Sequence, residues 1–168
     1  MKINIDTITR ASKELIGNII RTPTIRSQHL SSEINGEVFL KLENLQYTSS
    51  FKVRGAYTSI TRLKEDQKKA GVIAMSAGNH AQAVAWWAKK ERVNATIVMP
   101  EHAPLFKVMK TKSLGADVIL RGRTLNESQT YVSELANDKE LTLIHPYDDY
   151  NVVIGQGTLG LEFMADIK

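Results

Sequence analysis

Hydrophobic and polar positions along this chain alternate between two periods, one typical of strands and one typical of helices. Short and almost wholly apolar runs predict strands at 38–42, 72–76, 95–99, 116–120 and 141–144. The segments between them space apolar residues three and four positions apart, which predicts amphipathic helices. Strands that alternate with helices through short loops favour a mainly parallel sheet. The predicted class is therefore α/β, with helices covering both faces of a parallel sheet.

Capping signals set the ends of several predicted helices. Asp6 is expected to cap a first helix over 7–19. Ser49 or Ser50 is expected to cap the helix that follows the polar stretch 44–49. Thr124 opens a capping box before another helix. Because a parallel sheet gathers its ligands beyond the carboxyl ends of its strands, the loops after residues 76 and 144 are candidate binding segments.

Composition narrows the classes of protein. The 168 residues are 42% hydrophobic and 24% charged, which suits one globular domain or two small lobes. The chain has no cysteine, so disulfides and thiolate metal sites are excluded. A net charge of +4 without a long basic run gives nucleic-acid binding only weak support, and a small phosphate-bearing ligand suits this charge as well. Neither a signal-peptide pattern nor a membrane-length apolar stretch is seen, so a cytoplasmic enzyme or binding protein is expected.

Lys52 lies where a strand-like run ends and a helical pattern begins, within the stretch from Lys41 to Ala56. The apolar residues that follow form one stripe, which puts Lys52 in the first turn of a helix. The partial positive charge at a helix N-terminus disfavours an ammonium group, and desolvation would lower its pKa further. A free amine is a nucleophile that forms Schiff bases. Position alone does not distinguish this role from that of an ordinary solvent-facing lysine.

A second chemical signal is the loop Ser76-Ala77-Gly78-Asn79-His80, which runs from a predicted strand into a helix. Backbone N–H groups at such a helix start bind carboxylate or phosphate, assisted by the helix dipole. Gly78 allows the backbone to approach a ligand, and Asn79 offers a donor and an acceptor to a hydroxyl or phenolate oxygen. The same residues also suit an ordinary turn with a capping asparagine. They match neither the dinucleotide-binding glycine pattern nor a Walker-type phosphate loop.

The remaining polar and aromatic candidates give weaker signals. His29 and His102 lie in polar segments and are expected at the surface. His145 follows a predicted strand, but no second histidine stands at metal-ligand spacing. Asp148-Asp149 is expected to form a turn and a helix cap, and at least one residue of Trp86-Trp87 is expected to pack in the core.

Several stretches together resemble the β-family (fold type II) of pyridoxal phosphate enzymes, and within it the serine/threonine dehydratases. The family's lysine motif is similar to LENLQYTSSFKVRGAY at 42–57, and its asparagine loop is similar to SAGNHAQAVAWWAKK at 76–90. The segment that follows in threonine dehydratases and serine racemases is similar to HPYDDYNVVIGQGTLGLEF at 145–163. MPEHAPLFKVMKTKSLGADVIL fits between them, so the resemblance covers nearly the whole chain in order.

The resemblance implies roles for individual residues. Lys52 matches the lysine that holds pyridoxal 5'-phosphate as a Schiff base and later moves the Cα proton, and Phe51 would lie near the cofactor ring. Asn79 matches the residue that hydrogen-bonds the ring hydroxyl, and residues 76–80 match the loop that binds the substrate carboxylate. The implied reaction is dehydration and deamination of L-threonine or L-serine to a 2-oxo acid and ammonia, and the implied role is isoleucine biosynthesis.

The resemblance also implies a protein longer than this chain. The glycine-rich loop for the cofactor phosphate and the polar residue facing the pyridine nitrogen are expected beyond Lys168, so the 168 residues alone should bind the cofactor weakly. Residues 1–44 would form the start of a large cofactor domain, 45–150 a small α/β domain with the asparagine loop, and 151–168 a return into the large domain. The complete enzyme is expected to be a homo-oligomer that binds a small amino acid.

Three functions stay open on the sequence. The first is a threonine or serine ammonia-lyase; the second is a serine racemase or a β-replacement synthase of the same fold; the third is an inactive remnant that only binds a partner. Serine racemases commonly have serine where this chain has Ala77, and racemisation needs a proton donor on each face of the carbanion. Alanine carries no exchangeable proton, so the sequence favours β-elimination over racemisation.

Overall fold

The computed structural model of the chain describes residues 2–167. Its helices are α1 (Ile5–Leu15), α2 (Gln28–Glu33), α3 (Lys52–Thr61), α4 (Glu65–Ala70), α5 (Asn79–Lys90), α6 (Leu105–Ser113), α7 (Leu125–Asp138) and α8 (Tyr150–Asp166). Its strands are β1 (Thr24–Arg26), β2 (Phe39–Lys41), β3 (Val72–Met75), β4 (Ala95–Met99), β5 (Asp117–Leu120) and β6 (Thr142–Leu143). Two 3₁₀ turns, Glu43–Leu45 and Tyr47–Ser49, lead from β2 into α3.

A four-stranded parallel sheet forms the centre of the fold, in the order β5-β4-β3-β6. Val72 of β3 pairs with Ala95 on one side and with Thr142 on the other. Because neighbouring strands run in the same direction, the loops after β3 and β6 leave the sheet at one edge, side by side. The predicted parallel sheet is confirmed, whereas β1 and β2 form a separate antiparallel pair.

Helices cover both faces of the parallel sheet, as the sequence predicts. Val72 and Ala74 face a core that also contains residues of α3, α5 and α8. Ile73 lies between them in sequence and faces a second cluster with Val98 and the α7 residue Val132. The alternation follows from the two-residue period of a strand. Both sides of these strands are buried, which explains why their sequences are almost wholly apolar.

Helices α3 and α8 approach each other closely because glycines stand at their contact. A Cβ atom on Gly55 would lie 2.6 Å from Nε2 of Gln156, and one on Gly155 would lie 2.7 Å from both the Arg54 carbonyl oxygen and Cα of Gly55. No larger residue fits there without moving the helices apart. The contact holds α3 against α8 within one turn of Lys52.

The first helix begins and ends earlier than the sequence predicts. Asn4 is its cap, because Asn4 Oδ1 accepts from the Thr7 N–H at 3.0 Å and the Asn4 N–H donates to Thr7 Oγ1 at 3.1 Å. The predicted cap, Asp6, lies inside the first turn. Gly17 takes a φ of +79° and stops the helix, so Ile16, which the predicted helix over 7–19 included, lies beyond its end and is 78% exposed. Apolar spacing that continues past Leu15 misled the prediction.

The predicted start of a helix at Lys52 is confirmed, but its predicted cap is only partly right. Phe51 occupies the cap position without a side-chain hydrogen bond. Ser50 Oγ lies 3.4 Å from the Lys52 backbone nitrogen, and Ser49 takes a φ of +57°. Thr124 caps α7 as predicted, since its hydroxyl oxygen accepts from the Glu127 N–H at 3.2 Å.

Helix α4 is absent from the sequence prediction. Its residues are charged or polar apart from Ala70, so no apolar stripe marks it. Across residues 2–167, no helix combines the length and the hydropathy required to cross a membrane.

Candidate active site

Lys52 is the first residue of α3, and its side chain is partly buried. Its Nζ donates a 2.7 Å hydrogen bond to the carbonyl oxygen of Pro146, in the loop after β6. The same nitrogen lies 5.3 Å from the centroid of the Phe51 ring, which is 39% exposed. Burial lowers the pKa of the Lys52 amine from its ordinary value, because desolvation disfavours the charged form. The predicted nucleophile is therefore a partly desolvated amine with a backbone carbonyl as its partner.

The predicted anion-binding loop joins β3 to α5. Ser76 Oγ accepts from the Gly78 N–H at 3.1 Å, which closes the turn. The N–H groups of Asn79 and His80 have no hydrogen-bond partner among the described residues, as is usual in the first turn of a helix. The Asn79 side chain is exposed and bonds to no group in this part of the chain. This arrangement can bind a carboxylate through the two N–H groups.

Gly78 leaves open space over this loop. Its φ of −139° is available to any residue, so the backbone conformation does not require glycine. Apart from its chain neighbours, no atom of the described residues lies within 4 Å of a Cβ placed at this position, so open space lies over Gly78. The neighbouring Ala77 is half-buried and packs against the main core.

The His80 imidazole is bound inside the protein. His80 is 3% exposed, and its Nε2 lies 2.8 Å from the carbonyl oxygen of Ile144. Burial, together with the charges of Lys52 and His145, lowers the pKa of His80 to about 4. The sequence placed His80 in the carboxylate-binding loop; since its ring is bonded to Ile144, the backbone N–H is the group of His80 left for that role.

Lys52 and His80 thus bond to carbonyls of the same short segment, 144–146. This segment directly follows β6, and the Ile144 N–H donates to the Ile73 carbonyl oxygen at 2.8 Å, continuing the pairing with β3. The first turns of α3 and α5 therefore converge at the sheet edge where the sequence predicts ligands. His145, which the sequence placed near a site, lies between the two carbonyls.

A buried ionic cluster beside this site was missed by the sequence analysis. Arg54 is fully buried, and its guanidinium donates to Glu43 at 2.8 and 2.9 Å and to Glu162 at 2.8 and 2.9 Å. Lys41 Nζ lies 3.0 Å from both Glu162 and Asp166. The cluster joins α3 to β2, to the first 3₁₀ turn and to α8.

Hydrogen bonding keeps this cluster charged despite its burial. Burial opposes the charge of Arg54, but hydrogen bonds to Glu43 and Glu162 raise its pKa above the ordinary value. Burial likewise opposes the charge of Glu162, yet hydrogen bonds from Arg54 and Lys41 lower its pKa. The sequence carries one signal for this cluster: Arg54 is a charged residue among the small and apolar residues of the stretch 53–56. Its partners lie far away in the sequence.

The weaker sequence candidates lie largely where they were expected. Asp149 caps α8 by accepting from the Val152 N–H at 2.8 Å, and Trp87 is 2% exposed. His29 and His102 are exposed. Within residues 2–167, no three histidine, cysteine, aspartate or glutamate side chains are arranged to hold a metal ion.

Comparison with known families matches residues 15–168 to a model described as pyridoxal-phosphate dependent enzyme. The chain belongs to this family. Among curated members, the catabolic L-threonine dehydratase TdcB of Staphylococcus aureus strain USA300 is 51% identical over 166 residues, which are 98% of this chain and 48% of that protein. The chain therefore spans about half the length of the curated relatives it matches.

Solved structures of a threonine deaminase and of a serine racemase show the same fold. The processed form of threonine deaminase isoform 2 from Solanum lycopersicum matches with a TM-score of 0.88 and 35% identity, over 100% of this chain and 48% of that one. Serine racemase from Dictyostelium discoideum matches with a TM-score of 0.91 and 34% identity, over 99% of this chain and 54% of that one.

The described residues fit the family's cofactor, pyridoxal 5'-phosphate. Lys52 would offer its aldehyde a partly desolvated amine, and open space lies over Gly78 in the loop from Ser76 to His80. The Asn79 amide is free to bind a ring oxygen. The glycines from Gly155 to Gly160 lie inside α8, so this stretch is helical and does not form a phosphate loop.

Proposed function

We propose that this chain carries the cofactor lysine of a pyridoxal phosphate-dependent ammonia-lyase. Its substrate would be L-threonine, with L-serine as an alternative, and its products a 2-oxo acid and ammonia. The observation that carries the proposal is the partly desolvated Lys52 amine, bonded to Pro146 at the sheet edge where α5 presents two free N–H groups. The 51% identity to a protein named L-threonine dehydratase supports threonine as the substrate.

Each group has a distinct task in this reaction. When bound, pyridoxal phosphate supplies an aldehyde for covalent attachment and a ring that takes up the electron pair released at Cα. Lys52 would hold the cofactor, and its free amine would remove the Cα proton of the substrate. A lowered pKa favours this task, because it raises the fraction of neutral amine near neutral pH. The N–H groups of Asn79 and His80 would hold the substrate carboxylate and so fix Cα relative to Lys52.

The atoms of this reaction balance without a further reactant. Loss of the Cα proton and of the β-hydroxyl removes one water from threonine. The enamine that is released takes up one water to expel ammonia, so threonine becomes 2-oxobutanoate and ammonia. No oxidant or reductant is needed.

A serine racemase is the second candidate, favoured by the similarity to the Dictyostelium discoideum enzyme. Ala77 argues against it, since its methyl group cannot return a proton to the face of Cα opposite Lys52. After loss of its Cα proton, a substrate with a β-hydroxyl then reacts mainly by elimination. Replacing Ala77 with serine is expected to raise the ratio of D-serine to pyruvate formed from L-serine, and an unchanged ratio would remove this argument.

The wider biological assignments belong to the same proposal. Residues 1–44 and 151–168 would form part of a large cofactor domain, and residues 45–150 a small domain that carries the asparagine loop. The enzyme would work in the cytoplasm as a homo-oligomer. The curated relatives are named catabolic, which favours threonine degradation over the isoleucine biosynthesis expected from the resemblance.

Borohydride trapping tests the central assignment. The protein is incubated with pyridoxal phosphate, reduced and mapped by peptide mass spectrometry, and the label is expected on Lys52. Lys52→Ala should lose the label, whereas Lys90→Ala, on the helix that begins at Asn79, should keep it. Label on another lysine would overturn the assignment. A chimera that adds the remaining half of the Staphylococcus aureus relative tests turnover, with 2-oxobutanoate expected from L-threonine.

A further inference from the structure

Two carbonyl groups, two residues apart, hold the side chains that meet at the sheet edge. The Ile144 carbonyl oxygen lies 2.8 Å from His80 Nε2, and the Pro146 carbonyl oxygen lies 2.7 Å from Lys52 Nζ. The position of the Lys52 amine therefore depends on the position of Pro146, and Pro146 follows Ile144 by only two residues. A group that fixes Ile144 also limits where the Pro146 carbonyl can lie.

The segment around these carbonyls is otherwise held on both sides. Ile144 is fully buried, and its N–H donates to Ile73 of β3 at 2.8 Å. On the other side, the residues after Pro146 are held by the His145 ring. Its Nδ1 accepts from the Asp148 N–H at 2.8 Å and from the Tyr147 N–H at 3.3 Å. Among the described residues, His80 is the hydrogen-bond partner of the Ile144 carbonyl. It is also the link between this segment and the helix that carries the anion-binding loop.

The His80 ring is suited to hold this carbonyl as a neutral donor. A carbonyl oxygen only accepts, so Nε2 carries the proton. Nδ1 is then an acceptor, and it is buried without a hydrogen-bond partner among residues 2–167. A proton on Nδ1 would have no acceptor and would face the charges of Lys52 and His145, which is consistent with the lowered pKa of about 4. The imidazole keeps a single hydrogen bond across the neutral pH range.

We propose that His80 is a positioning residue, whose Nε2–H fixes the Ile144–Pro146 segment so that the Pro146 carbonyl holds the Lys52 amine at the site. This role goes beyond the loop position that the resemblance gives His80, and its importance for catalysis rests on the proposed function. Losing the donor leaves the Ile144 carbonyl without a partner. The Pro146 carbonyl then moves away from Lys52, and water reaches the amine.

The test measures the reactivity of the Lys52 amine without cofactor or substrate. Competitive labelling with an amine reagent across a pH series, followed by peptide mass spectrometry, gives the pH of half-labelling for each lysine. In His80→Phe, the value for Lys52 is expected to rise toward that of the exposed lysines, because desolvation no longer lowers its pKa. His80→Gln retains an N–H donor and should stay close to the unsubstituted protein. His102→Phe, at an exposed histidine, is the matched control.

The outcomes separate positioning from a general effect on folding. Equal Lys52 profiles in His80→Phe and in the unsubstituted protein would overturn the proposal, as would equal shifts in the Phe and Gln variants. Loss of the fold would shift the profiles of all partly buried lysines together. If His80→Phe fails to fold, nitrogen-15 NMR of the unsubstituted protein decides: a slowly exchanging Nε2–H signal of His80 is expected at pH 7, and protonation at Nδ1 instead would refute the proposal. Neither readout depends on turnover, so a failure of the ammonia-lyase assignment remains distinguishable.

Discussion

Two clusters of buried polar groups lie next to each other on α3, and they are built in opposite ways. The Arg54 cluster pairs every charge, since Arg54 bonds to two carboxylates and Lys41 to Glu162 and Asp166. The Lys52 cluster is incompletely paired within the described part of the chain: the Lys52 amine bonds to one carbonyl, and the His80 ring has a buried nitrogen without a partner.

Three of the four unpaired buried atoms among the described residues lie on the turn before α3 or in the first turn of α5, and the fourth lies on α8. Those found among the described residues are Thr48 Oγ1, His80 Nδ1, Gln82 Oε1 and Gln156 Nε2. They belong to the turn before α3, to the first turn of α5, and to the face of α8 that contacts Gly55. A buried polar atom without a partner costs stability, whereas the hydrogen bonds of the Arg54 cluster offset the cost of burying its charges. The two clusters on α3 therefore differ in how completely their polar groups are paired.

The largest effect is expected from breaking the paired cluster. Arg54→Met leaves the Glu43 carboxylate without a cationic partner and Glu162 with Lys41 alone, and should lower the free energy of unfolding by about 3–5 kcal/mol. Arg62→Met, at the other end of α3, removes a more exposed pair with Glu14 and should cost less than about 1 kcal/mol. Urea denaturation followed by circular dichroism measures both. Similar losses of unfolding free energy in the two variants would show that the buried cluster stabilises the fold no more than an exposed ion pair does.

Acid should destabilise the two clusters over different pH ranges. The pKa of His80 is about 4 in the folded chain against 6.5 for the free side chain, so the unfolded chain binds the extra proton and stability falls as pH drops from about 6.5 to 4. This could amount to about 3 kcal/mol. Glu162 and Asp166 have lowered pKa values, so their contribution is present above pH 4–5 and is lost at lower pH.

Denaturation at a series of pH values checks these two ranges. His80→Gln cannot titrate, so it should remove the loss between pH 6.5 and 4 and leave the loss at lower pH unchanged. If His80→Gln still loses stability between pH 6.5 and 4, a group other than His80 causes that loss.

A smaller effect is expected at the contact between α3 and α8. Gly155→Ala places a methyl group within 2.7 Å of backbone atoms of α3 and should lower the free energy of unfolding by about 1–3 kcal/mol. Gly160→Ala lies on the same helix, where the new carbon meets no described atom within 4 Å outside its own helix backbone, and should raise the free energy of unfolding by about 0.5–1 kcal/mol. Thermal unfolding of the two variants measures both changes. A Gly155→Ala variant as stable as the unsubstituted protein would contradict the tight contact between α3 and α8.

The smallest effect concerns the strained turn before Lys52. Ser49 takes a left-handed φ of +57°, which costs a residue with a side chain about 1 kcal/mol relative to glycine. Ser49→Gly should therefore raise the free energy of unfolding by about 0.5–1 kcal/mol. Ser113→Gly, in a helical position, should lower it by a similar amount. A loss of stability in both variants would mean that Ser49 is not strained.

Local patterns predicted most of the elements but not all of their ends. The apolar strands and the helix start at Lys52 were predictable because each depends on residues that are close in sequence. The cap of α1 was predicted wrongly at Asp6, since Asn4 is an equally good acceptor two residues earlier. Helix α4 was missed because it has no apolar stripe. The roles of Lys52 and Asn79 came from resemblance, as position alone left them ambiguous.

The sequence by itself determined the α/β class, the parallel sheet and the family. It also determined the candidate residues, which are Phe51, Lys52 and the loop 76–80. The tertiary structure decided which distant groups meet: Arg54 with Glu162, 108 residues apart, and Lys52 with the Pro146 carbonyl, 94 residues apart. The physical reason is that a helix or a strand is selected by neighbouring residues, whereas the partner of a buried charge is selected by packing. A backbone carbonyl such as that of Pro146 is present in every residue, so no sequence pattern could have singled it out.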